Sequence, residues 1–226
     1  TLGMSPAICQ GSTSAGLPYT STNSPTKYRI NFDATANSAG LTDINLPTAL
    51  PTSSMVISVP VGIAPDTYNG TVYVQNVVDC ESIGTLFTLT INPIPVVSAT
   101  PVSQTICSDL STGISLTSNV SGATFSWTVT QSGVTGAING SGSFIAQQLT
   151  VTGQTPGTVT YTITPTANGC SGTPVNVAVK VNPNASIVAV TGNNSLCINR
   201  TTPYTATAFL GGGTGTWSSS NSSVAT

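Results

Sequence analysis

The chain has 226 residues, of which only four are Lys or Arg and six Asp or Glu, with no histidine and a formal net charge of −2. The cations Lys27, Arg29, Lys180 and Arg200 are too scattered to make a basic stripe, so nucleic acid is excluded as a partner, and without histidine neither a Ser-His-Asp nor a Cys-His arrangement can form within these residues. The longest apolar stretch, Met55 to Ala64, is interrupted by Ser and Pro and is about half the length that spans a bilayer, so no membrane insertion is expected.

Taken in chain order, the elements are strands. The chain is rich in Ser, Thr, Asn and Val, residues that favour strands and turns over helix, through stiff β-branched side chains and side-chain competition for backbone hydrogen bonds. After Cys9, the residues Tyr28, Ile30 and Phe32 alternate with polar ones, Val72 and Val74 follow Gly70, and Phe87, Leu89 and Ile91 lead into Asn92-Pro93. A period of two puts such residues on one face of a strand. Beyond Cys107, Phe125, Trp127 and Val129 repeat the pattern, as do Val159, Tyr161 and Ile163, and then Val175, Val177, Val179 and Val181 before Asn182-Pro183. Thr166-Ala167-Asn168-Gly169 lies between the last two, and its Asn-Gly pair predicts a hairpin turn. A third start follows, with Cys197 and Trp217.

The cysteines sit on a repeating frame. Cys80 precedes Asn92-Pro93 by twelve residues and Cys170 precedes Asn182-Pro183 by twelve; Cys107 precedes Trp127 by twenty and Cys197 precedes Trp217 by twenty. A period of about ninety residues divides the chain into 1–93, 94–183 and 184–226. The first copy differs from the second: Cys9 to Cys80 spans 71 residues against 63 from Cys107 to Cys170, the extra ones placed at 42–52, and the position of Trp127 is taken by Arg29, with the aromatic displaced to Tyr28. Short alternating strands with frequent turns predict an all-β fold of tandem immunoglobulin-like antiparallel sandwiches. The proline-stiffened junctions predict an elongated rod, roughly 35–40 Å per unit from the strand rise. The frame begins and stops in mid-pattern, and the chain reads as a window on a longer polypeptide.

The frame predicts one staple per unit, Cys9 with Cys80 and Cys107 with Cys170, each contributing about 4 kcal/mol by loop closure. Free buried thiols are the alternative; a zinc site would need clustered Cys or His, and there is no CxxC. Cys197 is either a reactive thiol or a half-cystine whose partner lies past Thr226, and the frame favours the second. Disulfides imply an extracytoplasmic setting. Asp79 and Glu81 flank Cys80 with a spacing open to a calcium ion or an acid/base pair, or to a solvated turn; calcium held at a junction would draw on Asp66 or Asp109. Trp127 and Trp217 are read as core aromatics beside a disulfide rather than a sugar platform, and Tyr19, Tyr68 and Tyr204 as ungrouped surface aromatics. No cofactor, metal or catalytic residue is expected.

The segments Thr105-Ile106-Cys107-Ser108, Ala123-Thr124-Phe125-Ser126-Trp127, Gly157-Thr158-Val159-Thr160-Tyr161, Asn168-Gly169-Cys170 and Val179-Lys180-Val181-Asn182-Pro183 resemble the PKD-like domains repeated in giant surface proteins of Bacteroidota. Pro65 to Thr71 and Thr90-Ile91-Asn92-Pro93 are similar to related repeats, and Gly215 to Thr226 to the start of a bacterial group 2 immunoglobulin-like domain. The resemblance implies a non-enzymatic, outer-membrane-attached adhesin exported by the type IX secretion system, in some members a gliding-motility adhesin. Its partners would be an extracellular surface or glycan, neighbouring repeats and the secretion machinery. Two other readings stand beside it: a glycan- or calcium-binding module of a secreted polysaccharide-degrading enzyme, and a self-assembling extracellular filament subunit.

Overall fold

The computed structural model describes residues 1–192, 203–210, 216 and 218; Cys197, Arg200 and Trp217 lie outside the described residues. Two compact units result. The first comprises Thr1–Val96 with Asn119–Ala123 and Thr166–Gly172, the second Val97–Ser118, Thr124–Pro165 and Thr173–Thr226. The fold is nearly all-β, with immunoglobulin-like sandwiches in tandem.

The first unit contains β1 (Ala7–Cys9), β2 (Ser14–Pro18), β3 (Lys27–Phe32), the short helix α1 (Ala34–Ser38), β4 (Ile44–Ala49), β5 (Ser54–Ser58), β6 (Thr67–Gln75) and β7 (Thr85–Asn92). One layer is the sheet β1-β7-β6-β3-β4 and the other the pair β2-β5. The alternating side chains decide which faces meet: Tyr28, Ile30 and Phe32 of β3 and Phe87, Leu89 and Ile91 of β7 point inward with Leu17, Met55 and Ile57 from the other layer. Phe32 and Phe87 meet edge to face at 6.0 Å, and Gly70 of β6 clears the space, since a Cβ there would stand 2.5 Å from the Phe87 ring. A helix forms where Asp33 caps the chain: its Oδ1 accepts from the Ala36 amide at 2.8 Å. Two of the bonds to Asp33, from the Ala36 amide and then from Asn69 Nδ2, hold its carboxyl below the usual range.

The second sequence repeat and the residues after it contain β8 (Val97–Thr100), β9 (Ser103–Cys107), β10 (Leu110–Ser111), β11 (Ile114–Ser118), β12 (Thr124–Ser132), β13 (Val134–Thr135), β14 (Gly140–Ser141), β15 (Phe144–Ile145), β16 (Gln148–Val151), β17 (Gly157–Ala167), β18 (Cys170–Ser171), β19 (Val175–Asn182), β20 (Ser186–Thr191) and β21 (Thr205–Leu210). Its main sheet runs β14-β12-β17-β19-β9, opposite the strands β15-β11-β8, with β10-β16-β13 as a small third sheet. Val159, Tyr161, Ile163, Val177, Val179 and Val181 are fully buried.

The two main sheets share one plan. β1 lies parallel to β7 as β9 lies parallel to β19, and the neighbours follow in the same order: β6 and β3 in the first, β17 and β12 in the second. β20 and β21 form a separate antiparallel pair.

Candidate functional site

Each main sheet places cysteines at two structurally distinct positions. The first is the end of the short parallel strand. Cys9 stands opposite Asn92 and Cys107 opposite Asn182, and in both the next residue donates its amide to that asparagine's carbonyl, Gln10 to Asn92 and Ser108 to Asn182, each at 2.8 Å. The second position is the tip of the hairpin preceding the last long strand. Cys80 lies between β6 and β7, and Cys170 between β17 and β19. In each tip the preceding residue has a left-handed backbone, Asp79 at φ 60° and Gly169 at φ 78°. Each sulfur lies near the carbonyl oxygen two residues back, Cys80 4.0 Å from Val78 and Cys170 3.9 Å from Asn168.

This geometry overturns the pairing of Cys9 with Cys80 and of Cys107 with Cys170. Asn92 ends β7 whereas Cys80 lies before its start, and β7 is eight residues long, roughly 25 Å at the usual rise. The eight residues of β19 separate Cys170 from Asn182, and hence from Cys107, in the same way. A disulfide needs Cα atoms within about 7 Å, so two cysteines at opposite ends of one sandwich cannot join. The bond that forms is Cys9–Cys170, with Cα atoms 5.6 Å apart, linking residues 161 positions apart. Both ends belong to the first compact unit, because the tip 166–172 clusters there. Asn92 Nδ2 donates to Asn168 O at 3.3 Å beside it. Cys80 and Cys107 are free and exposed.

Around Cys80 the turn is tied by Asn76, whose Oδ1 accepts from the amides of Val78 and Cys80, both at 3.0 Å. Asp79 and Glu81, flanking the cysteine, form ion pairs with the outward face of β3. Lys27 Nζ donates to Asp79 Oδ1 at 2.8 Å, and Arg29 binds Glu81 through Nε and Nη2 at 2.8 and 2.7 Å. The Arg29 guanidinium also sits 3.7 Å above the Tyr73 ring. Arg29 therefore occupies the outward face beside the core position that Tyr28 fills. Its hydrogen bonds hold the Glu81 carboxyl below the usual carboxylate range, and Glu81 in turn raises the Arg29 guanidinium further. A cleft of about 370 Å³, lined by Thr1, Leu2, Tyr19, Cys80, Glu81 and Ile83 among others, opens beside this tip.

All six carboxylates bond within the fold. Asp33 caps α1, Asp43 accepts from the Phe32 amide at 2.8 Å, Asp66 from that of Thr67 at 2.7 Å, and Asp109 accepts from Thr150 Oγ1 at 2.8 Å and from Asn184 Nδ2 at 3.3 Å. Asp79 and Glu81 face cations. Among the described residues no group of three or more Cys, Asp or Glu gathers at metal-binding distance.

Trp127 is buried in β12, and its Nε1 donates to the Ile138 carbonyl at 3.2 Å. Gln147, which no sequence pattern singles out, completes the node: its Nε2 donates to Ile138 O at 2.8 Å, while its Oε1 accepts from the Ile138 amide and from Tyr161 Oη, both at 3.0 Å. Burial raises the Tyr161 phenol. Tyr68, expected on the surface, is instead a core residue donating to Ala64 O at 2.9 Å. Tyr19 is half-buried and donates to Pro51 O, whereas Tyr204 is exposed.

The second sandwich thus combines a parallel edge strand ending in cysteine, a buried tryptophan and tyrosine, and a cysteine-tipped hairpin. Residues 104–185 match the PKD-like domain family. The PKD-like match runs from within β9 to just past β19, so it takes in both cysteine positions of this repeat. No curated protein matches the chain. Among solved structures it is similar to the fibronectin(III)-like modules of Clostridium thermocellum CbhA, at 12% identity and a TM-score of 0.38, covering 81% of this chain and 94% of that one. It is also similar to the D00-D0 domain of intimin, at 16% identity, TM-score 0.37 and coverages of 79% and 96%. A third likeness is to the four N-terminal Ig domains of Dscam1 isoform 1.9, at 12% identity and TM-score 0.32, where 79% of this chain spans 43% of that one. Residues 104–185 thus carry a PKD-like repeat, and its bonding through Cys170 to Cys9 is chemistry of an extracytoplasmic setting.

Proposed function

We propose that this chain is a stalk and contact segment of a long secreted adhesin attached to the outer membrane of a Bacteroidota cell, exported through the type IX secretion system and, in a gliding cell, carried along its surface. The observation that carries this reading is the Cys9–Cys170 bond, which ties the first sequence repeat to the second and leaves neither cysteine available for chemistry. The engagement of every carboxylate in caps, turns and ion pairs supports a mechanical rather than a catalytic role. Under load, a covalent link between repeats limits how far the chain between them extends. Its partners are an extracellular surface or glycan, neighbouring repeats, and the secretion machinery during export.

The test is antibody labelling of intact cells of the producing organism with serum raised against residues 1–226, with surface proteolysis and an in-frame deletion of 94–183 as companions. Labelling of intact cells, its loss on proteolysis and weaker attachment of the deletion strain to glycan-coated glass are the expected results. An antigen confined to the cytoplasm, or loss of a secreted polysaccharide-degrading activity in the deletion strain, overturns the reading.

A further inference from the structure

We infer that Cys80 and Cys107 are the two unmated ends of a disulfide ladder in which the strand-end cysteine of each repeat joins the hairpin-tip cysteine of the repeat that follows it. The formed bond defines the rule: Cys9 is a strand-end cysteine of the first repeat and Cys170 a hairpin-tip cysteine of the second. Cys107 occupies the strand-end position of the second repeat, with the same opposed asparagine and the same 2.8 Å amide-to-carbonyl bond from the next residue as Cys9. Cys80 occupies the hairpin-tip position of the first, with the same left-handed predecessor and the same sulfur-to-carbonyl approach as Cys170. Neither can mate within its own sandwich, because the last long strand holds the two positions at opposite ends.

The surfaces around the free pair also differ from those around the bonded one. The hairpin of Cys80 exposes Val77, Val78, Ile83 and Leu86, between 69% and 92% accessible, and Leu110 is exposed three residues after Cys107. Cys170 is fully buried, and its hairpin buries Ala167 as well. Apolar side chains grouped around an exposed thiol fit a tip that is covered when its partner docks. The occupant is a like repeat bearing the complementary cysteine. For Cys107 it is the repeat beginning after Pro183, whose frame is already marked by the twenty-residue spacing of Cys197 and Trp217. In sequence Cys197 repeats the spacing of Cys107, twenty residues before a tryptophan, so the rule does not make it the mate of Cys107.

Closure requires an external disulfide as oxidant. One cysteine of the pair first exchanges with a low-molecular-weight or oxidoreductase disulfide, RS–SR, releasing one RSH and leaving Cys–S–SR. The thiolate of the other then attacks the cysteine sulfur of that mixed disulfide, forming the new S–S bond and expelling RS⁻, which takes up the proton the thiol lost. Two thiols and one RS–SR become one cystine and two RSH.

The test is non-reducing peptide mapping after alkylation of free thiols, on the isolated 226-residue chain and on the protein recovered from the surface of its producing cell. In the isolated chain Cys9 and Cys170 should be found linked, with Cys80 and Cys107 alkylated. In the cell-derived protein alkylation of both should be lost: Cys107 should be linked to a cysteine that precedes an Asn-Pro pair by twelve residues, and Cys80 to a strand-end cysteine. Alkylation of Cys107 or Cys80 in the cell-derived protein, or a bond between two strand-end or two hairpin-tip cysteines, overturns the ladder. So does a Cys107–Cys80 bond between two copies, which would replace succession along one polypeptide with end-to-end polymerisation. The outcome is independent of adhesion or gliding, so the ladder and the proposed function can fail separately.

Discussion

The two cysteine-tipped hairpins occupy the same place in their sheets and are built differently. The tip of Cys170 closes on Asn168-Gly169, both with positive φ at 50° and 78°, and β18 pairs back onto β17 through Thr166–Ser171 and Ala167–Cys170. That is the two-residue turn whose twist suits a hairpin. The tip of Cys80 is longer, pinned by Asn76 and by the pairs Lys27–Asp79 and Arg29–Glu81, and its apolar residues face outward. A turn with its own backbone order presents its cysteine in a fixed place, and here the cysteine is bonded. Where side-chain bonds to a neighbouring strand do the ordering, the cysteine stays exposed and free.

The largest expected effect separates the bonded tip from the free one. Cys170→Ser should lower the unfolding free energy of the isolated chain by about 2–5 kcal/mol in urea titration, with Cys9→Ser equivalent and the double variant no worse than either. Cys80→Ser should stay within about 0.5 kcal/mol of wild type. Equal losses at Cys80 and Cys170 would erase the distinction.

Next in size is Gly169→Ala. No atom lies within 4 Å of the added Cβ, so the penalty comes from holding a left-handed backbone at φ +78°, about 1–2 kcal/mol. Asp79→Gly, at φ 60° in the other tip, relieves that same strain while removing the Lys27 pair, and its net shift should be smaller than that of Gly169→Ala in the same titration. A third variant, Asn76→Ala, removes the acceptor for the Val78 and Cys80 amides; we expect a loss of about 0.5–1.5 kcal/mol and faster alkylation of Cys80. An unchanged alkylation rate would show that Asn76 does not position the thiol.

The smallest effect is a change in acid sensitivity. Glu81 is held below its ordinary range by Arg29, so its contribution is fully present above the unfolded carboxylate value of about 4.3 and is lost as pH falls through the lower folded value. Thermal midpoints of Glu81→Gln should therefore decline less steeply than those of wild type below about pH 4, with the remaining slope supplied by Asp33, whose carboxyl is also lowered. Identical slopes would remove the Arg29–Glu81 pair from the account of that hairpin.

Much of the fold was legible because strand patterning is local. Tyr28, Ile30 and Phe32, or Val177, Val179 and Val181, announce their buried face by a period of two, and Asn168-Gly169 announces its turn. The ion pairs were less so: Lys27 and Asp79 are 52 residues apart, as are Arg29 and Glu81, and nothing local links them until β3 and the tip beyond β6 are adjacent. Gln147 is likewise a single polar residue whose side-chain partners, Ile138 in the loop before β14 and Tyr161 in β17, are distant in sequence, while Trp127 of β12 shares the Ile138 carbonyl. The cysteine pairing was not legible, because regular spacing along the chain is not proximity in space. The twelve residues from Cys80 to Asn92 hold an extended strand, which separates what it spaces.

By itself, the sequence determined an all-β chain in which alternating patterns, turn signals and cysteines recur at a spacing of about ninety residues, because those features depend on residue type and on neighbours a few positions away. Only the tertiary structure decided which cysteines meet. A parallel edge strand puts Cys9 in the first repeat and Cys107 in the second at the end of the sheet opposite that repeat's hairpin, so Cys9 can be bonded only by a cysteine from another repeat, and Cys170 is the one brought within reach.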